Sequence, residues 1–254
     1  MKDAGILRNE LSGAETGWTE PAPVEVLLED EDILAVNKPA GVVVHPAYRH
    51  TGDTLCDSVF ARQAARREAR PWLLHRLDRD TSGIVLFAKT ERARRSMVRQ
   101  FERHSINKSY LAIANGAVSP EAATIDAPLA RDPLDRRRTI ADPGGRPAQT
   151  RYRVLDTQGH YTLILAEPVT GRTHQIRAHL THIGAPLAGD VRYLPPDAAT
   201  IPAPRAMLHA ARMRFTHPGT GRECVVIAPL PGDFLTVAGY LGFRDSLNAL
   251  IQAL

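Results

Sequence analysis

Short apolar runs separated by polar turns set the pattern of this chain. Val24–Leu28 and Ile33–Val36 flank the acidic run Glu29-Asp30-Glu31-Asp32 and predict two strands around a solvated turn. Asn37-Lys38-Pro39-Ala40-Gly41 interrupts, and Val42-Val43-Val44-His45-Pro46 predicts a further strand. Asp53 is placed to cap a helix reaching about Arg67, with Leu55, Val59 and Phe60 inward. Trp72-Leu73-Leu74 and Ile84-Val85-Leu86-Phe87 read as buried strands. Thr90-Glu91 starts a second helix, with Ala93, Met97, Val98 and Phe101 on one apolar side. Strands are expected over 108–114, 151–155 and 162–165, and a closing hairpin over 207–215 and 224–227. Gly171-Arg172-Thr173 leads into a helix from about His174 to Ile183, stopped by Gly184, and 234–254 is read as helical.

Between the runs at 72–74 and 84–87 lies a densely polar loop, His75-Arg76-Leu77-Asp78-Arg79-Asp80-Thr81-Ser82-Gly83. Asp, Thr, Ser and Gly are ordinary turn formers. A carboxylate two residues from an arginine, on a loop held by strands, is also a place where chemistry is found. Both readings stand at this level.

Charge sharpens the picture. Residues 1–50 carry 4 basic and 9 acidic side chains, residues 51–150 carry 18 and 12, and arginine supplies 28 of the 32 positive charges. Arg-rich composition explains the excess of arginine but not its clustering, which points to a polyanionic partner. The two predicted helices at 53–67 and 90–103 carry many of these arginines and are expected to form a basic rim; the segment 117–150, with Arg131, Arg136, Arg137, Arg138 and Arg146, is expected to be a nucleic-acid-facing hairpin or flap. Cys56 and Cys224 have no paired spacing, which argues against a disulfide framework or zinc and fits a reducing cytoplasm. Residues 1–22 are read as a flexible tail without the apolar core of a signal peptide, and 23–254 as one domain. No apolar run is long enough to span a membrane.

The chain has no Walker sequence, no Gly-x-Gly-x-x-Gly loop and no Gly-x-Ser-x-Gly elbow. His174, His179 and His182 share parts of one helix but lack the partners of a metal site. The remaining candidates are Asp, Arg and Tyr. An ionised carboxylate can act as nucleophile or base, a neighbouring guanidinium such as Arg177 would orient it, and Tyr110 could stack on an extruded base. Lys38 is either a phosphate contact or a surface charge.

Five stretches in order make the chain recognisable. They are Val36-Asn37-Lys38-Pro39-Ala40-Gly41 with His45-Pro46, the loop 75–83, Lys108-Ser109-Tyr110, Gly171–His179, and Leu208-His209-Ala210. Over about residues 24–230 the chain resembles the RluA-type family of pseudouridine synthases. The resemblance implies an α+β fold, a mixed, largely antiparallel central sheet with flanking helices. It implies that Asp78 is the catalytic carboxylate, Tyr110 stacks on the target uracil, Arg177 pairs with Asp78, and Arg76 enters the space left by the flipped nucleotide. Lys38, Arg79, Lys108, Arg172 and His174 are carried as RNA contacts. No cofactor or metal is implied; RNA (ribosomal or transfer) is the expected partner, and the chain is expected to act as a monomer. The N-terminal tail is too short for the small RNA-binding domain of S4 type found in some members, and Leu194 stands where the family usually has Gly. The rival from another class is a non-catalytic RNA-binding or ribosome-assembly factor on the same fold.

Overall fold

The computed structural model describes residues 23–46, 54–195, 197–198 and 201–253; the expected tail at 1–22 and the expected Asp53 cap lie outside the described residues. Strands β1 (Glu25–Glu29) and β2 (Ile33–Lys38) flank the acidic turn. The apolar run at 42–46 does not continue as a strand. Its carbonyls are already taken: Val42 accepts from Lys38 Nζ, and Val43 and Val44 accept from the first amides of the next helix. That helix, α1 (Leu55–Ala65), is capped by Thr54. The Thr54 hydroxyl accepts the Asp57 amide while the Asp57 carboxylate accepts the Thr54 amide, a reciprocal capping box. Leu55 and Val59 point inward, whereas Phe60 stays half-buried under the Arg70 guanidinium.

Strand β3 (Trp72–Leu73) is a short edge piece with Trp72 exposed, not the buried strand expected, while β4 (Ser82–Ala88) is buried throughout. Helix α2 (Glu91–Glu102) is capped by Thr90 and buries Ala93 and Met97; Val98 is exposed, one step off the apolar stripe. Next come β5 (Asn107–Asn115), β6 (Ala122–Asp126), β7 (Leu129–Arg131), β8 (Thr139–Ala141), β9 (Gln149–Gln158) and β10 (Tyr161–Pro168). Helix α3 (Gln175–His182) precedes the hairpin β11 (Leu208–Thr216) and β12 (Glu223–Ile227), and α4 (Gly232–Tyr240) and α5 (Arg244–Ala253) follow.

Ten strands form one sheet in the order β1-β2-β4-β11-β5-β10-β9-β6, with β12 on β11 and β3 on β4; β7 and β8 form a separate ribbon. Its pairings are antiparallel except β4 with β11. At that parallel contact Gly83 has φ +111°, and a Cβ there would run into the Ala210 carbonyl. Only glycine meets both demands.

Alternation along the strands feeds two faces. Leu34 and Val36 join Val85, Phe87 and Ala112 in a core covered by Leu55 and Val59 of α1 and by Ile176 and Leu180 of α3. Ile33, Ala35, Ile84 and Leu86 face the other way, against Ala93 and Met97 of α2. Leu111, Ile113 and Leu163 pack on Phe234, Val237 and Leu247 of α4 and α5. Burial on both faces explains why the central strands read as continuous apolar runs, and each buried aliphatic side chain contributes roughly 1.5–3 kcal/mol.

The acidic turn before β2 is not merely solvated. Glu29 binds Arg62 at 2.8 Å and Lys89 at 3.0 Å, and Asp32 binds Arg92 at 2.7 Å. Glu91 holds Arg94 and Arg95. Much of the expected basic rim on α1 and α2 is therefore neutralised within the protein. The segment 117–150 also differs from a free flap. It supplies the edge strand β6 and the β7–β8 ribbon, and its Leu129 and Ala148 pack with Ala178 and Tyr193 behind α3.

Candidate active site

Loop 75–83 crosses the mouth of a cavity of about 460 Å³ whose lining includes Arg76, Asp78, Lys108, Tyr110, Arg172, His174 and Arg177. The sequence separates these residues by up to a hundred positions, and the sheet brings them together. Leu77 is buried in the core, leaving Arg76 and Asp78 on the cavity side. His75 Nε2 accepts the Leu86 amide at 3.1 Å, and its ring packs 5.3 Å from that of Phe101. Loss of hydration pushes its pKa down to about 3, so it is neutral and serves as an acceptor.

Distant residues fix the loop backbone. Lys38 is fully buried, and its Nζ donates to the carbonyls of Pro39, Val42 and Arg79, each at 2.8 Å. It is a clamp between two loops, not the RNA contact expected, because all three donors are spent inside. Burial pushes its pKa down to about 7. Arg79 turns toward Gly41, whose carbonyl accepts its Nε at 3.0 Å, and so sits outside the cavity. From the other side Arg205 donates to the Asp80 carbonyl at 3.0 Å and the Ser82 hydroxyl at 3.1 Å, and is itself held by Asp233. Ser82 also meets His209 Nδ1 at 2.9 Å, and burial keeps His209 neutral with a pKa pushed down to about 4. Of these anchors, Arg205, His209 and Asp233 carried no expected role. The only signal was Leu208-His209-Ala210 as a motif and a Gly at 83.

Asp78 keeps about a fifth of its side chain exposed and accepts from Arg177 Nη1 at 3.1 Å. Arg177 is gripped from behind by Asp190, which accepts from Nε at 2.7 Å and Nη2 at 2.9 Å. The Tyr193 ring covers the guanidinium, 4.9 Å from its carbon. A planar fork pinned along its Nε–Nη2 edge presents Nη1 to Asp78 in one orientation. Asp190 and Tyr193 were missed. The signal for Asp190 was an arginine on a helix otherwise destined for burial, which requires an acid partner.

His174 takes the left-handed conformation at φ 53° and begins α3 without a side-chain cap. Its Nδ1 lies 3.1 Å from the Tyr193 hydroxyl, and its Nε2 lies 3.8 Å from Asp78. Burial lowers its pKa, opposed by the Asp78 charge. Gln175 shapes the preceding turn by accepting from the Arg172 amide and the Thr170 hydroxyl. Arg172 Nε reaches the Pro147 carbonyl, and Tyr193 bonds the Thr139 backbone, so the 117–150 segment buttresses the site from behind. His179, a possible metal ligand by sequence, is committed to Thr150 and the Ala127 carbonyl. Leu194 completes its turn by donating to Asp190 without a left-handed backbone.

Tyr110 lies on β5 with 9% of its surface exposed and lines the cavity. Burial, reinforced by Asp78, raises its pKa well above that of an ordinary phenol. Lys108, two residues earlier, donates to the Thr170 carbonyl at 3.2 Å, and burial pushes its pKa down to about 8. The arrangement holds an aimed carboxyl group beside a flat aromatic surface in a cavity of small-ligand size.

Comparison with known proteins agrees. The family model described as RNA pseudouridylate synthase matches residues 32–182. A Chloroflexus aurantiacus protein named as an uncharacterized RNA pseudouridine synthase is 47% identical over 215 residues, covering 84% of this chain and 67% of its own length. Ribosomal large subunit pseudouridine synthase D of Pseudomonas aeruginosa is 38% identical over 241 residues, covering 90% and 75%. The solved structure of human RNA pseudouridylate synthase domain containing 1 superposes with a TM-score of 0.71 at 26% identity, covering 91% of this chain and 94% of that one. Fold, motifs and relatives converge: this chain belongs to the RNA pseudouridylate synthase family.

Proposed function

We propose that the chain isomerises selected uridines of large-subunit ribosomal RNA, with Asp78 as the essential carboxylate. The observation that carries this is the ordered series Asp190–Arg177–Asp78 facing Tyr110 across one cavity. In the reaction the C1′–N1 bond of uridine breaks, the uracil turns over, and a C1′–C5 bond forms. The C5 proton leaves and N1 gains one, so atoms and charge balance without an external reactant. The protein must hold the detached base in place, a task suited to a closed cavity and an aromatic face. Tyr110 is assigned that face. Its raised pKa keeps it a phenol, which favours stacking over service as a phenolate base. Arg177 aims Asp78; Arg76, exposed at the cavity mouth, is assigned the space vacated by the flipped nucleotide.

Large-subunit ribosomal RNA is chosen over transfer RNA because several relatives bear the name ribosomal large subunit pseudouridine synthase D. Residues 23–254 are assigned to one catalytic unit acting as a monomer. A cytoplasmic site of action is supported by two unpaired cysteines, and among the described residues no helix is long and apolar enough to cross a membrane. The test is to incubate purified protein with an unmodified large-subunit ribosomal RNA transcript and map pseudouridine. Wild type produces discrete sites and Asp78→Ala produces none. Identical maps from the two proteins, or a wild type that binds RNA without converting any uridine, overturn the proposal; the second outcome identifies a non-catalytic RNA-binding factor.

A further inference from the structure

A second cavity, of about 230 Å³, opens beside the first and has no part in the chemistry above. His104, Lys108 and Pro168 line both, so the two share a rim. Strand register explains what the second one holds. Arg212 of β11 lies opposite Ser109 of β5, and Glu167 of β10 lies opposite Arg151 of β9. Ser109 Oγ donates to Glu167 at 3.1 Å, which closes a row Arg212–Ser109–Glu167–Arg151 across four adjacent strands. Ser109 and Tyr110 are consecutive, so the row belongs to the sheet face opposite Tyr110. Arg214 stands one step along β11 in the same cavity.

The charges of this cavity are unbalanced. Lys108, Arg151 and Arg212 face a single lining carboxylate, Glu167, while Arg214 is paired with Glu223 at 3.6 Å. Among the described residues neither Arg151 nor Arg212 takes part in an ion pair, in contrast to the paired arginines of α1 and α2. Arg212 Nε is buried and has no hydrogen-bond partner. Such a donor is destabilising until an acceptor arrives. A guanidinium and an ammonium around a space of this size match the oxygens of a phosphodiester.

We infer that the second cavity is a phosphate subsite for the RNA strand. It takes a backbone phosphodiester flanking the flipped uridine, so that the strand bends over the rim formed by His104, Lys108 and Pro168 from one sheet face to the other. The inference rests on the RNA activity proposed above, and its test reads affinity, which is independent of turnover. Binding of the unmodified large-subunit ribosomal RNA transcript is measured across salt for wild type, Arg212→Gln, Arg151→Gln and, as a control on the far hairpin turn, Arg222→Gln, with melting curves for each. Arg212→Gln and Arg151→Gln each weaken binding about tenfold, and each lowers the slope of log affinity against log salt by about 1. Arg222→Gln changes neither. Should Arg212→Gln misfold, the exposed Arg151 still decides the matter. Wild-type affinity and slope in Arg151→Gln, or equal weakening by Arg222→Gln, overturn the subsite even where wild type makes pseudouridine. A wild type that makes none overturns the activity alone.

Discussion

Asp190 does not line the cavity, yet its loss should be felt at Asp78. Asp190 is 2% exposed and grips the Nε–Nη2 edge of the Arg177 fork, at 2.7 and 2.9 Å, leaving Nη1 for Asp78 at 3.1 Å. In Asp190→Asn one acceptor survives, but the amide NH2 is brought against a guanidinium N–H. Breaking a buried pair from one side costs about 3–5 kcal/mol. Asp78 remains as a second anion, so the lower end, about 3 kcal/mol, applies. For a chain of this size that lowers the melting temperature by roughly 6–12 °C. The freed guanidinium no longer aims the carboxylate, and a displacement on the order of 1 Å costs about 100-fold in rate. Single-turnover pseudouridine formation on a ribosomal RNA transcript, with parallel melting curves, reads both effects. A positioning role lowers kcat while KM holds. A variant that melts and turns over like wild type would refute the reasoning, because Arg177 would then need no second anchor.

Two further outcomes are expected. The depressed pKa of His75 means the unfolded chain binds more protons between about pH 3 and 6.5, so stability is full above that window and falls as pH drops through it. At pH 5 this costs about 2 kcal/mol; His75→Gln, which keeps an acceptor for the Leu86 amide, should lose about that much less between pH 7 and pH 5 in urea melts, and equal losses would remove His75 from the account. Lys38→Met strands three carbonyls in a dry site and should destabilise by about 3 kcal/mol or more. Its RNA salt slope should match wild type; a shallower slope would restore Lys38 as a phosphate contact.

The strands expected at 24–28 and 33–36 and the helices expected to begin near 53 and 90 were legible because periodicity is a local property, although the first helix is capped by Thr54 and not by Asp53. The strand expected at 42–46 failed for a non-local reason: Lys38 and α1 had claimed its carbonyls. Asp78, Tyr110 and Arg177 were picked out by family resemblance, and the fold gathers them at one cavity. Lys38 read as a surface or phosphate-facing charge, because a lysine's burial depends on carbonyls up to 41 residues away. The acidic run and the Arg-rich helices each read as solvated charge, and only the tertiary fold paired them. The row on the reverse face was invisible for the same reason, since register across four strands is not written in any one of them.

The clasp on loop 75–83 has a consequence for the order of events at the ribosome. The chain emerges amino end first. Asp78 and Tyr110 leave the exit tunnel early, but Arg177 follows Asp78 by 99 residues, Arg205 follows Asp80 by 125, and His209 follows Ser82 by 127. A nascent chain therefore carries its carboxylate long before that carboxylate is aimed. The strand that joins β4 in parallel, and with it the working site, arrives only after most of the polypeptide has been made. An RNA pseudouridylate synthase built this way completes its site only once residue 209 has been made.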